Sequence, residues 1–142
     1  MKKLTVLVGI SGSGKSTWAH NQWKENPNNT TIVNRDKIRE LMFGFTEQSI
    51  KDYYNLPNLY KREKEVTKME NVLIKEGLAS GKHVIVDATH LEMKFIRRFK
   101  YFNVETEVKV FTTLSDECIE RDAARERPVG PDIIHKQVAK LI

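Results

Sequence analysis

The stretch Gly9-Ile10-Ser11-Gly12-Ser13-Gly14-Lys15-Ser16-Thr17 decides the fold of this chain. It matches the pattern G-x-x-x-x-G-K-[ST], whose glycines allow a tight turn with backbone N–H groups pointing at a phosphate. The apolar run Leu4–Val8 before it predicts a strand, and Lys15–Glu25 after it predicts a helix that stops at Asn26-Pro27. Strand, glycine loop and helix N-terminus together favour a phosphate-binding loop over a glycine-rich turn without a ligand.

Each residue type in the loop has its own expected contact with a nucleoside triphosphate. The lysine reaches the terminal phosphates, and the serine hydroxyl after it is a ligand for Mg²⁺. We therefore expect a nucleoside triphosphate and Mg²⁺ at this loop. The predicted nucleotide-binding residues are Gly12, Ser13, Gly14, Lys15, Ser16 and Thr17, of which Lys15 is also a catalytic candidate and Ser16 a metal ligand.

Length and composition fit one globular domain over residues 1–142. Hydrophobic residues make up 39% and charged residues 30%, which is typical of a soluble protein rather than a disordered one. The single cysteine excludes a disulfide framework, and no apolar run is long enough for a membrane span, so we expect a cytoplasmic protein. The net charge of +5 favours an anionic partner.

The remaining chain alternates strand and helix patterns, which predicts an α/β fold with a four-stranded parallel sheet and helices on both faces. Right-handed crossovers then bring the strand ends and the glycine loop to one edge of the sheet. The further predicted strands are Thr30–Asn34, Lys82–Asp87 and Thr106–Thr112, the last at a sheet edge. The further predicted helices are a short one within Asn34–Phe43, capped by Asn34 or Asp36, then Asn58–Glu76, Leu91–Phe102, a helix from Ser115 to Arg125, and a last one from Asp132 to Leu141.

Periodicity also predicts which helix faces are buried. The helix after the second strand has Ile38, Leu41 and Met42 at helical spacing, and the long helix has Val66, Met69, Leu73 and Glu76 on one face with its end bracketed by Gly77 and Gly81. We interpret the charged run Lys61-Arg62-Glu63-Lys64-Glu65 as a solvated face.

Two acids follow predicted strands and are expected near the loop. Asp87 closes the third strand, where it can approach Mg²⁺ directly or through water, or else cap the following turn. Asp36 follows the second strand and has Arg39 one helical turn away. A carboxylate there can accept a proton from an attacking hydroxyl, and a guanidinium can hold an anionic acceptor. The alternative is an N-cap with a surface ion pair.

Two basic segments have two interpretations each. Arg121 and Arg125 share a helix face, with Arg127 close behind, and arginines of this kind can close over a transferred phosphoryl group. An exposed charged helix is the alternative. The cluster of Lys94, Arg97 and Arg98 can contact a phosphodiester backbone or form a solvated face.

These blocks in this order resemble the 5′-kinase domain of bacteriophage polynucleotide kinase. The glycine loop is generic, but Asn34-Arg35-Asp36 with Arg39 is more specific, and Asp87-Ala88-Thr89 and Arg121–Arg125 with Pro128-Val129-Gly130 follow. The resemblance implies a P-loop kinase fold with a C-terminal helical lid and ATP-dependent phosphorylation of 5′-hydroxyl ends of DNA or RNA. Lys37 and His90 depart from the family pattern, and no D-x-D motif for a 3′-phosphatase is present.

The resemblance also implies roles for individual residues. Asp36 would be the general base, Arg39 would hold the acceptor phosphate, and Asp87 and Thr89 would lie at the acceptor channel. Arg125 would be the catalytic lid arginine, with Arg121 lining the nucleotide. A P-loop kinase for a small-molecule hydroxyl is the alternative, and an ATP-binding switch without transfer is a third class, since the fold alone does not choose among them.

Overall fold

A four-stranded parallel sheet forms the centre of the molecule, as the sequence predicts. The computed structural model describes residues 3–10, 13–43, 53, 55–87, 97–111, 120, 121 and 124. The strands are β1 (Lys3–Val8), β2 (Thr30–Asn34), β3 (His83–Asp87) and β4 (Glu105–Val110). Their order is β2-β3-β1-β4, and all three pairings are parallel. β4 lies at an edge of the sheet, as its interrupted apolar pattern predicts.

In the described part of the chain, α-helices and a short 3₁₀ helix lie between the strands. They are α1 (Lys15–Glu25), α2 (Arg35–Phe43), α3 (Leu59–Ala79) and the 3₁₀ helix Arg98–Phe102. The predicted bounds of α1 and β2 are confirmed, whereas α3 continues beyond the predicted end at Glu76. The predicted helix Leu91–Phe102 is 3₁₀ over its last part, and residues 88–96 lie outside the described chain.

Alternating side chains of the central strands feed two hydrophobic clusters. Leu4 and Val6 of β1 point to the face that α2, α3 and Phe99 cover, and Leu7 points to the face that α1 covers with Ala19. β3 alternates in the same way, because side chains of a strand point to opposite faces with a period of two. Helices therefore lie on both faces, which confirms the predicted architecture.

The buried face of α3 agrees with the predicted one only in part, since Val66 is buried and Leu73 packs against the core as predicted. Its buried residues include Glu70, Ile74 and Gly77, whereas Met69 is 39% exposed. Gly77 lies within the helix, where a Cβ atom would come within 2.7 Å of Val84 Cγ2 and 2.9 Å of Thr31 Cγ2. The glycine thus permits α3 to approach the sheet closely and does not end the helix as predicted.

The prediction for the apolar face of α2 is also wrong in part. Ile38 is buried, but Leu41 is 82% exposed, and the charged Arg39 is only 7% exposed. Met42 packs at the rim of the larger cluster. The buried side of α2 is therefore rotated toward Arg39, which makes this arginine part of the contact between α2 and α3. Among the helices of the described ranges, none is long and apolar enough to cross a membrane.

Candidate active site

The glycine loop lies at the carboxyl end of β1 and leads into α1. Gly14 has a φ of 101°, a left-handed conformation that glycine adopts without strain. The Nζ atom of Lys15 donates hydrogen bonds to the carbonyl oxygens of Gly9 and Ile10, at 2.9 and 2.7 Å. The lysine side chain is therefore held against the loop, within the turn whose motif predicts phosphate binding. Ser11 and Gly12 lie outside the described residues.

Asp87 and Ser16 meet at the mouth of this loop. The Ser16 hydroxyl donates to Asp87 Oδ2 at 2.7 Å. Asn34 also donates to Asp87 Oδ2 through Nδ2, at 3.1 Å, because Asn34 and Asp87 are register partners at the ends of β2 and β3. The Asn34 side chain uses its Oδ1 to accept the backbone N–H of Lys37 at 3.1 Å. Asn34 therefore both caps the N-terminus of α2 and donates a hydrogen bond to the carboxylate of Asp87.

Asp36 and Arg39 form an ion pair in the first turn of α2. Arg39 Nη1 donates to Asp36 Oδ1 at 2.6 Å, and the Asp36 side chain is 45% exposed while that of Arg39 is 8% exposed. The same guanidinium donates to Glu63 of α3 through Nε at 3.0 Å and Nη2 at 2.7 Å. Arg39 is therefore held between two carboxylates, and Asp36 is the more accessible one.

Glu63 was missed at the level of sequence because it lies in the run interpreted as a solvated face. Burial alone raises the pKa of its carboxyl, but hydrogen bonds and charge from Arg39, with Tyr53 and Arg35, lower the pKa to about 2. Glu63 is therefore ionised at neutral pH. The only signal for it in the sequence is its spacing two turns before Glu70, and this does not separate it from its exposed neighbours Lys61 and Lys64.

Only a few residues of the predicted lid are among those that the structure describes. Arg121 lies beside the loop, since a Cβ atom on Gly14 would lie 3.9 Å from its Nη1 atom. Arg121 is therefore near the phosphate loop, and its role as a nucleotide-lining residue stays a prediction. Thr89, Arg125 and Arg127 lie outside the described residues, and their predicted roles stay predictions.

Comparisons with known proteins agree with this geometry. A family model described as an AAA domain matches residues 4–141. This chain belongs to the AAA domain family. The family and the phosphate loop together make it an ATP-binding domain with a P-loop kinase fold, as the sequence predicts.

Individual relatives of this AAA domain extend the comparison. It is 29% identical to a protein named as a bifunctional polynucleotide kinase/RNA ligase of Autographa californica nuclear polyhedrosis virus, over 99% of this chain and 21% of that protein. A chain in the structure of the Pnkp1/Rnl/Hen1 RNA repair complex superposes with a TM-score of 0.75 at 29% identity, over 98% of this chain and 43% of that one. A gluconokinase from Sinorhizobium meliloti 1021 has the same fold, with a TM-score of 0.61 at 17% identity, over 99% of this chain and 75% of that one. The AAA domain thus spans less than half the length of the first two relatives.

Two residues of the basic cluster predicted to face solvent or nucleic acid, Arg97 and Arg98, lie in different environments in the AAA domain. Arg98 pairs through Nη2 with the buried carboxylate of Glu70 and donates to Asn71 Oδ1 at 2.6 Å. The prediction that Arg98 shares a free face is therefore wrong, because its charge is used inside the molecule. Arg97 is exposed, and Lys94 lies outside the described residues.

The residues around Asp87 fit a magnesium ion that is shared with phosphates. A hydroxyl and a carboxylate are hard oxygen ligands, and Ser16 Oγ and Asp87 Oδ2 lie 2.7 Å apart. Within the described ranges, no group of three or more His, Cys, Asp or Glu side chains could hold a metal by itself. Mg²⁺ is commonly bound through one or two protein ligands together with substrate phosphates and water.

Substitution of Asn34 is expected to separate its two contacts. Asn34→Ser keeps an oxygen that can accept the Lys37 N–H, whereas Asn34→Ala removes it, and both variants lose the bond to Asp87. Asn34→Ala should therefore be less stable than Asn34→Ser by about 1 kcal/mol, the usual contribution of an N-cap. Urea unfolding of the two variants measures the difference. Equal stabilities would show that the cap of α2 contributes nothing.

Proposed function

We propose that this domain transfers the γ-phosphoryl group of ATP to the 5′-hydroxyl of a DNA or RNA end. One observation carries the proposal: two carboxylates with different partners stand at neighbouring strand ends. Asp87 accepts a hydrogen bond from Ser16 of the phosphate loop, and Asp36 accepts one from Arg39 on α2. A loop that only binds ATP needs the first carboxylate, while transfer to a hydroxyl also needs a base such as the second.

The relatives support the choice of a polynucleotide acceptor over a small molecule. Those at 29% identity are named for polynucleotide kinase/RNA ligase and for an RNA repair complex, whereas the gluconokinase shares only the fold at 17% identity. The net charge of +5 agrees with an acidic partner. A small-molecule hydroxyl is the competing acceptor.

In this proposal Asp36 is the general base and Arg39 is its positively charged neighbour. The 5′-oxygen attacks the γ-phosphorus in line with the bond to the β–γ bridging oxygen, that bond breaks, and ADP leaves with its electron pair. The proton of the 5′-hydroxyl passes to the Asp36 carboxylate. Because the Asp36 side chain is 45% exposed, an oligonucleotide end can reach it from solvent.

On the donor side, the loop and the lid supply the positive charge. Lys15 exchanges its bonds with the Gly9 and Ile10 carbonyl oxygens for bonds to the phosphates of ATP. Arg121, beside Gly14, lines the nucleotide, and Arg125 of the lid acts on the transferred group. On the acceptor side, Asp87 and Thr89 border the acceptor channel.

A magnesium ion would be held by Ser16, with Asp87 directly or through water. When bound, it would neutralise charge that develops on the phosphate oxygens. Ser16 and Asp87 are hydrogen-bonded at 2.7 Å, so both oxygen ligands would be available at the same place to hold the ion.

An acceptor panel tests the proposal directly. ATP labelled at the γ-phosphate is offered with 5′-hydroxyl DNA, 5′-hydroxyl RNA, the same oligonucleotides carrying a 5′-phosphate, nucleosides and sugars. We expect label on the 5′-hydroxyl oligonucleotides and none on the 5′-phosphorylated ones, since those lack the nucleophile. Label on a nucleoside or sugar alone would assign the competing small-molecule function. ATP hydrolysis without labelling of any acceptor would support a switch.

A further inference from the structure

Glu63 of α3 forms a two-bond contact with Arg39 of α2. Its Oε1 accepts from Arg39 Nη2 at 2.7 Å, and its Oε2 accepts from Nε at 3.0 Å. Parallel bonds of this kind fix the plane of a guanidinium as well as its position, which a single ion pair does not do. The orientation of Arg39 is therefore determined from the side of α3.

Glu63 is itself held from a second side. The hydroxyl of Tyr53, a fully buried residue, donates to Glu63 Oε2 at 2.5 Å. Arg35 Nη2 lies 3.4 Å from Oε1. Burial, followed by the hydrogen bond and charge of Glu63, raises the pKa of Tyr53, so the phenol keeps its proton and stays a donor. With partners on both oxygens, the carboxylate has little freedom to rotate.

The edge of Arg39 that is turned away from Glu63 faces Asp36. Nη1 donates to Asp36 Oδ1 at 2.6 Å, so one planar group links a largely enclosed carboxylate to a half-exposed one. Arg39 also lies over the Tyr53 ring, with its Cζ atom 5.4 Å from the ring centre. A rotation of the guanidinium away from Glu63 would move Nη1 away from Asp36.

We propose that Glu63 is a positioning residue of the acceptor site, which acts through Arg39 to hold Asp36 in the direction of the incoming hydroxyl. The proposal rests on the proposed function, since it takes Asp36 as the base. Glu63 touches neither ATP nor the acceptor. Its contribution is to fix the Arg39–Asp36 pair, in which the long arginine side chain is otherwise free to rotate.

Glu63→Gln tests this role with little change in shape. The amide keeps one acceptor oxygen but loses the charge and one of the two bonds to Arg39. We expect kcat/KM for a 5′-hydroxyl oligonucleotide to fall about 100-fold, the cost of displacing a catalytic group by roughly 1 Å. KM for ATP should not change, because Glu63 is hydrogen-bonded to Arg39 and Tyr53, whereas Ser16 of the loop is hydrogen-bonded to Asp87. Glu65→Gln, two residues further along α3, is the matched control and should behave like the wild type.

A double-mutant cycle shows whether Glu63 acts through Arg39. If it does, Glu63→Gln in an Arg39→Gln background should have no further effect on kcat/KM for the oligonucleotide. A merely structural Glu63 would lower the thermal midpoint and change both substrates' kinetics in proportion to lost active enzyme. Tyr53→Phe, which removes only the donor to Glu63, provides a milder variant in case Glu63→Gln does not fold.

The outcomes separate this inference from the proposed function. Wild-type protein that labels no oligonucleotide contradicts the proposed function itself. Wild-type activity in Glu63→Gln, or full additivity with Arg39→Gln, overturns only the role of Glu63. A selective loss for the oligonucleotide together with non-additivity supports it.

Discussion

Asp36→Asn is expected to lower the rate of phosphoryl transfer to a 5′-hydroxyl oligonucleotide by about 100- to 10,000-fold, the usual contribution of a general base. The amide oxygen can still accept the bond from Arg39 Nη1, which is 2.6 Å from Asp36 Oδ1 in the wild type. The substitution therefore removes the proton acceptor and leaves α2 and its ion-pair partner in place. Single-turnover transfer at saturating ATP and oligonucleotide measures the rate of the chemical step.

ATP affinity is the internal control for this variant. It should be unchanged, because Asp36 is on α2 whereas the phosphate loop precedes α1 and is bonded to Asp87. Glu65→Gln removes the same charge from a carboxylate that is 46% exposed, and it should transfer at the wild-type rate. A large loss of ATP affinity in Asp36→Asn would assign Asp36 to the donor side, and an unchanged transfer rate would mean that another group is the base.

Glu70→Ala is expected to have the largest effect on stability. The Glu70 side chain is fully buried and pairs with Arg35 Nη1 at 3.3 Å and with Arg98 Nη2. Its removal takes a carboxylate partner from both guanidinium groups, which are 14% and 24% exposed, although Arg35 keeps its contact with Glu63. Breaking a buried ion pair from one side costs about 3–5 kcal/mol, because the remaining charge is left desolvated.

The same helix offers a matched control for Glu70. Glu65 pairs with Lys68 at 3.4 Å, and both side chains are well exposed. Glu65→Ala should cost no more than about 1 kcal/mol, the upper range for a surface ion pair. Urea unfolding of both variants, followed by far-UV circular dichroism, gives the comparison. Similar midpoints for Glu70→Ala and Glu65→Ala would show that burial adds nothing to the ion pair of Glu70.

The sheet and the phosphate loop could be predicted from sequence because their signals are local. A glycine-rich motif between an apolar run and a helix depends only on neighbouring residues, and strands that are buried on both faces appear as continuous apolar runs. The edge position of β4 followed from Glu107 and Lys109 for the same reason. These features do not depend on what the chain contacts elsewhere.

The buried face of α3 could be predicted only in part, because part of it is not apolar. Glu70 and Gly77 carry no hydrophobic signal, and the apolar pattern that correctly predicts Val66 and Leu73 also predicts Met69, which is exposed. Glu70 is buried because Arg35 and Arg98 reach it from elements 35 and 28 residues away in sequence. Gly77 is buried because the helix approaches Val84 closely. Both residues are buried by contacts with other elements of the fold, which the periodicity of the helix sequence does not reveal.

The residues of the candidate site likewise fall into those that local signals predict and those that depend on contacts between distant elements. Ser16 with Asp87, and Asp36 with Arg39, were found from strand ends and helical spacing, and both pairs are bonded. Glu63 was missed because its partner Arg39 is 24 residues away, and a charged run is usually solvated. An arginine with only 7% exposure requires a buried counter-charge, so the burial of Arg39 was the information that the sequence lacked.

The pairing of Asn34 with Asp87 has a consequence for how acceptor choice can vary. The two residues face each other at the last register position of β2 and β3, so their separation is set by the spacing of hydrogen-bonded strands, about 4.8 Å. This dimension belongs to the backbone, and no side-chain substitution alters it. In the proposed function, acceptors of different size must therefore be accommodated by residues outside this strand pair, such as Asp36 and Arg39 of α2. Substitutions there can change the acceptor selectivity while the geometry of the residues proposed to bind ATP stays constant.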